Sequence, residues 1–147
     1  MNTVHFDTTR ATSAARCMVR TLVEADVFTL ATSEETADHV VTVAVQDAFF
    51  ADIYTNEYAR GEFVTLGPHA IINVRPHLSE EDMMATVLHE AMHLLQHMEG
   101  TFDPQQDRAW GERDCERDAV NRALSLAEWN EWRGLLPALR RDARNLA

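Results

Sequence analysis

Lysine is absent from this chain: all 13 basic residues are arginine, set against 24 acidic ones, for a formal charge of −11. Such an acidic balance disfavours nucleic-acid partners, whose phosphates need a basic footprint. It suits a soluble protein that stays monomeric. Cysteine is scarce too, and Cys17 and Cys115 are too few for a disulfide framework. No apolar run approaches the length that spans a bilayer, and the first residues lack an apolar h-region. A soluble cytoplasmic protein without a membrane partner is therefore expected, with release by a non-standard route left open. Repeats, low-complexity stretches and linker-like composition are missing as well. The 147 residues are expected to form a single domain, 1–147, large enough to bury its own core.

Against these absences stands one motif, His89-Glu90-Ala91-Met92-His93, inside the apolar run Val87-Leu88-…-Leu94-Leu95. It reads H-E-x-x-H on a helix. Positions i and i+4 are separated by about 6 Å of rise and share nearly one face, so both imidazoles can converge on one ion. Glu90 lies about 100° round from His89, where it can reach a water beside the metal. Ser79-Glu80-Glu81-Asp82 resembles a capping box, with Ser79 as N-cap, and Gly100 is the expected stop. Met83, Met84, Val87, Leu88, Ala91, Leu94, Leu95 and Met98 make the helix largely buried. The methionines read as core filler. Burying His-Glu-His without partners would cost several kcal/mol, and one zinc ion is the simplest partner for all three.

A catalytic zinc needs a third protein ligand and one open position. Gln96 and Glu99 stand where a metzincin would have Gly and a third His, which excludes that class. His97 lies about 12 Å along the axis from His89, too far for one ion to bridge. Cys115 reads as a small buried packing residue. A carboxylate from the following helix remains. Beyond the Asp103-Pro104 turn, the segment from Trp110 to Ala119 carries Glu112 and Glu116, four apart and expected on one helical face. One would ligate the metal and the other would bond a ligand from behind.

H-E-x-x-H followed by Trp110-Gly111-Glu112-Arg113 and Glu116-Arg117-Asp118-Ala119 resembles the small gluzincin-type zinc metallopeptidases. It is similar to minigluzincins, the ImmA/IrrE group and minimal phage or bacterial peptidases, over roughly Ile71 to Leu126. The resemblance implies a zincin-like fold and a zinc-dependent hydrolase of peptide bonds acting on a peptide or protein. It makes His89, His93 and Glu116 the ligands, with Glu112 the alternative third, and Glu90 the general base. Ala119 would be the small residue that lets the helices approach. Larger gluzincins add a transition-state His or Tyr from downstream, but no His or Tyr follows His97 here. The stabiliser is instead expected among Tyr54, Tyr58, His77 and Arg113. A SprT-like peptidase acting on DNA-bound proteins is disfavoured by the acidic charge and by the lack of a third His.

Patterning points to an α+β architecture with a small sheet of three to four strands. Thr12 to about Asp26 reads as an amphipathic N-terminal helix. Val41, Val43 and Val45 mark a strand, Phe49–Tyr54 a second, and Glu62–Leu66 with His69–Val74 a hairpin about Gly67-Pro68. The H-E-x-x-H helix, the glutamate helix and a final helix from about Leu126 to Arg144 follow. Trp129, Trp132 and Leu136 form that last helix's buried stripe, and Pro137 is expected to kink or break it. By analogy with zinc peptidases, an extended substrate would pair with a sheet edge beside the metal, His69–Val74 or its neighbour. Two other readings use the same residues. One is a catalytically weak or inactive zinc-stabilised regulatory module with a closed fourth position, which would have no need of Glu90. The other is an interaction helix that binds no metal.

Overall fold

Alternating valines do build a strand, β3 (His39–Val45), and the Gly67-Pro68 turn does join a hairpin, β4 (Gly61–Leu66) and β5 (His69–Val74). Gly67 sits at φ 66, a left-handed conformation that glycine adopts without steric cost. The computed structural model describes residues 2–48, 59–105 and 107–146. The expected strand Phe49–Tyr54 lies outside the described residues.

Among the described residues, two strands that patterning missed bring the sheet to five. β1 (Thr3–Arg10) buries Val4 but turns polar after Phe6, so its alternation is too brief to read. β2 (Thr29–Leu30) has only two residues. The order is β2-β1-β3-β5-β4, with β1 parallel to β2 and β3, β3 parallel to β5, and β4 antiparallel to β5. Among the described residues the strand His69–Val74 is thus internal, and its neighbour β4 lies at the edge.

Helix α1 (Ser13–Glu24) follows β1 and buries Ala15, Met18, Val19 and Leu22 at helical spacing. Helix α2 (Glu80–Glu99) crosses β4 and β5 and also packs against α1 and the two later helices, α3 (Asp114–Trp129) and α4 (Leu136–Arg144). This explains why α2 is buried on nearly every side between Met83 and Leu94. On α3, Ala119, Ala123 and Ala127 form a fully buried row of small side chains.

The last helix departs from expectation. Leu126 belongs to α3, and Pro137 falls in the first turn of α4, where its missing N–H costs nothing and its fixed φ suits helix entry. Trp132 and Leu136 do pack against the core, whereas Trp129 is 87% exposed. Among the described residues, no helix is long and apolar enough to cross a membrane.

Gly61 is where the edge strand approaches α2 most closely. A Cβ there would stand 2.5 Å from Thr86 Cγ2 and 3.1 Å from the Asn73 carbonyl oxygen. Thr86 cannot simply rotate, because its hydroxyl donates to the Asp82 carbonyl at 2.7 Å. Gly61→Ala is expected to lower the unfolding free energy by about 1–3 kcal/mol, read by urea denaturation. An unchanged midpoint would mean that strand and helix part without strain.

Candidate metal centre

The chemistry-bearing stretch of α2 is held at both ends. The Asp82 N–H donates to Ser79 Oγ at 3.1 Å, and three acids in the first turn complement the helix dipole. The reciprocal half of the expected capping box is replaced, since the Asp82 carboxylate accepts from Arg141 of α4 at 2.8 Å. At the other end Gly100 takes φ 79, its N–H bonding the His97 carbonyl at 3.1 Å and that of Thr101 the Gln96 carbonyl at 2.8 Å. This Schellman closure fixes the last turn, and with it Gln96.

Between these ends His89 and His93 project from one face, ring centroids 5.0 Å apart. His89 Nε2 lies 3.2 Å from Glu116 Oε1, and His93 Nε2 contacts the same oxygen. Glu116 comes from the first turn of α3, one residue after the buried Cys115. His93 Nδ1 meets Gln96 Oε1 at 2.8 Å. The amide's orientation is set by its other end, where Nε2 donates to the Cys115 carbonyl at 2.9 Å and to Asp118 Oδ2 at 2.8 Å. Gln96 Oε1 can only accept, so His93 donates from Nδ1, which leaves Nε2 as the nitrogen that would bind a metal. Aromatic rings enclose both imidazoles: Phe102 and Phe63 stand 5.3 and 6.3 Å from His93, and Trp110 stands 6.0 Å from His89.

Burial and charge act against each other here. Desolvation disfavours the charged imidazoles, but the carboxylate of Glu116 outweighs it and raises both His89 and His93 above the ordinary histidine value. Glu116 is held well below the usual carboxylate range despite its burial, because two imidazoles face it. Burial pushes Glu90 up to about 8, with Glu116, Glu62 and Asp142 adding to it and His93 opposing. Burial likewise raises the Cys115 thiol, to about 12, helped by the charge of Glu116.

Glu90 and His89 line a cleft of about 680 Å³. Its other walls include Ala59, Arg60 and Gly61 at the start of β4, Trp110, Arg141 and Asp142 of α4, and Asn145 just after that helix. Arg60 pairs there with Asp142.

The structure brings His89, Glu90, His93 and Glu116 together and leaves the other described candidates apart. Glu112 is exposed in a tight turn (Trp110–Glu112) that precedes α3, so it shares no helical face with Glu116. His77 is exposed, and Arg113 donates from Nε to the Arg108 carbonyl at 3.0 Å; neither lines the cleft. Tyr54 and Tyr58 lie outside the described residues. His97 faces His39 and Phe63, with ring centroids 5.7 and 6.1 Å away. Sequence reasoning missed Gln96 as a partner of His93, although its i+3 spacing was the available signal. It also missed Arg60 and Arg141, the arginines of the cleft wall, whose place depends on tertiary packing.

Among the described residues, buried side chains form two groups that could hold a metal ion: His89, Glu90 and His93, and His93, Cys115 and Glu116, with ligand atoms in each group within 4.8 Å of one another. Two imidazole nitrogens and a carboxylate oxygen meeting at one point fit zinc, which takes these donors and tolerates an open fourth position.

Gln96 is 1% exposed, and its loss would leave His93 Nδ1 without a partner and take a second hydrogen bond from the Cys115 carbonyl. Gln96→Leu, nearly equal in volume, is expected to cost about 1–3 kcal/mol of stability in the presence of a chelator. Urea denaturation of wild type and variant side by side would read it, and equal midpoints would show that the amide supports nothing.

No protein-family model, no curated protein and no solved structure matches this chain, so any statement about its function rests on the site itself.

Proposed function

We propose that this protein is a zinc-dependent peptidase. The supporting observation is the meeting of His89 Nε2 and His93 Nε2 on one oxygen of Glu116, with Glu90 beside them in an open cleft. His89, His93 and Glu116 would hold one zinc ion, and zinc there would supply Lewis acidity toward water and a carbonyl oxygen. Glu90 does the proton work: its carboxylate takes a proton from the attacking water and returns it to the leaving amine. Gln96 keeps the His93 ring turned so that Nε2 faces the ion, a task typical of the residues behind a ligating histidine.

Substrate binding follows from the sheet. Among the described residues β4 lies at the sheet edge, and its first residue, Gly61, lines the cleft that holds Glu90. An extended peptide adding to β4 would gain main-chain hydrogen bonds and run toward the reacting groups. The cleft wall is mixed in character, with Trp110 on one part and the Arg60–Asp142 pair on another, so side-chain selection would draw on both stacking and charge.

Elemental analysis of protein purified without added metal tests the site. About one zinc per chain is expected in wild type, Glu90→Gln and Glu112→Gln, and none in His89→Ala, His93→Ala or Glu116→Gln. Gln96→Leu should bind zinc about 10–100-fold more weakly in chelator competition. Absence of zinc from wild type, even after reconstitution, would sink the reading. With a peptide substrate in hand, proline at a single β4 position whose N–H points away from β5 is expected to raise KM while zinc content stays constant. An unchanged KM would remove the edge strand from substrate binding.

A further inference from the structure

One group of metal-binding character is left unused by this mechanism. The Cys115 thiol stands with His93 and Glu116 in a cluster whose ligand atoms all lie within 4.8 Å, and all three residues are buried. The chain places the sulfur there for a local reason. Cys115 precedes Ala119, Ala123 and Ala127 at intervals of four, so it belongs to the row of small buried side chains on α3. Its carbonyl is tied to α2 through the Gln96 amide at 2.9 Å. The same amide holds His93 at 2.8 Å. One side chain thus fixes both the imidazole and the backbone of the cysteine.

We propose that Cys115 is a fourth protein donor to the metal held by His89, His93 and Glu116, giving the centre a closed, sulfur-bound state. The inference rests on the zinc reading above and adds its regulation. A thiol near a metal cation gives up its proton to solvent and binds as thiolate, the cation replacing the proton's charge. Four protein donors complete the tetrahedral set preferred by zinc and leave no place for water. The sulfur-bound form is therefore a resting state, and hydrolysis requires Cys115 to let go. Access divides the site the same way: His89 and Glu90 line the cleft, whereas His93, Cys115 and Glu116 do not. Thiolate also shifts the centre's preference toward softer ions.

Cobalt(II) is the probe, because a cobalt–thiolate bond adds a near-ultraviolet charge-transfer band that nitrogen and oxygen donors do not produce. Wild-type protein loaded with one cobalt per chain is expected to show this band. Cys17→Ala, which alters the exposed cysteine of α1, should keep it. Cys115→Ala and Cys115→Ser should bind cobalt and lose it, with folding checked by circular dichroism. Wild type carrying one cobalt without the band would overturn the proposal while leaving the metal centre intact, even if neither variant folds. A band that survives in Cys115→Ala would overturn it equally. Failure of wild type to bind cobalt or zinc at all would instead bring down the metal reading itself.

Discussion

Polar side chains buried along one helix set the terms for much of this structure. His89, Glu90, His93 and Gln96 all sit on α2 in the interior. A buried polar group costs about 1–3 kcal/mol when unpaired, and a buried charge costs more. Among the described residues no buried side-chain nitrogen or oxygen lacks a hydrogen-bond partner. Glu116 meets both imidazoles, and Gln96 reaches from His93 to the backbone of α3. The position of α3 on α2 is consequently set by polar contacts at its first turn as well as by its alanine row. Apolar packing alone tolerates small slides, but a carboxylate shared between two imidazoles does not.

The same logic continues outward, and it uses arginine at each step. Asp118, which accepts from Gln96, also accepts from Arg122 Nε at 2.8 Å. The remaining nitrogens of Arg122 reach both oxygens of Glu99 at 2.5 and 2.9 Å, joining the end of α2 to α3. Across the cleft, Arg60 pairs with Asp142 and Arg141 with Asp82, which fastens α4 to the approach to β4 and to the start of α2. These bridges need a flat cation with several donors in fixed directions. A lysine ammonium could satisfy one partner but could not span Asp118 and both oxygens of Glu99. Each pair contributes little by itself at this exposure, so their effect is to align elements more than to stabilise the fold.

How much of this could be read from the chain depended on the range of the interaction involved. Helix α2 was legible almost to the residue, because Ser79, the apolar period and Gly100 are local signals that agree with one another. The β4–β5 hairpin was legible for the same reason. Strand β1 was not, since a parallel strand is stabilised by partners distant in sequence and its own alternation ends after Phe6. The last helix was misplaced because Trp129 and Leu126 continue a helical period that belongs to α3, while Pro137 begins a helix instead of bending one. The site divided likewise. His89, Glu90 and His93 are close in sequence and show themselves as a motif. Glu116 could be separated from Glu112 only once the turn before α3 was known, because that turn rotates Glu112 out to solvent.

The inner and outer sides of the site are built differently, and that difference bears on how it could work. Toward the cleft it offers His89, Glu90, the start of the edge strand and charged groups from α4. Toward the interior it offers His93, Glu116, Cys115 and the fixed amide of Gln96. On the inner side, His93, Glu116 and Gln96 are held by contacts between α2 and α3. Groups on the cleft side can exchange solvent and ligands without disturbing that packing. A reactant entering the cleft would meet Glu90 and His89 first, on the backbone of a helix braced at both ends. Under the proposed reading Glu90 lies where a base would be needed, between the open cleft and the His93–Glu116 pair.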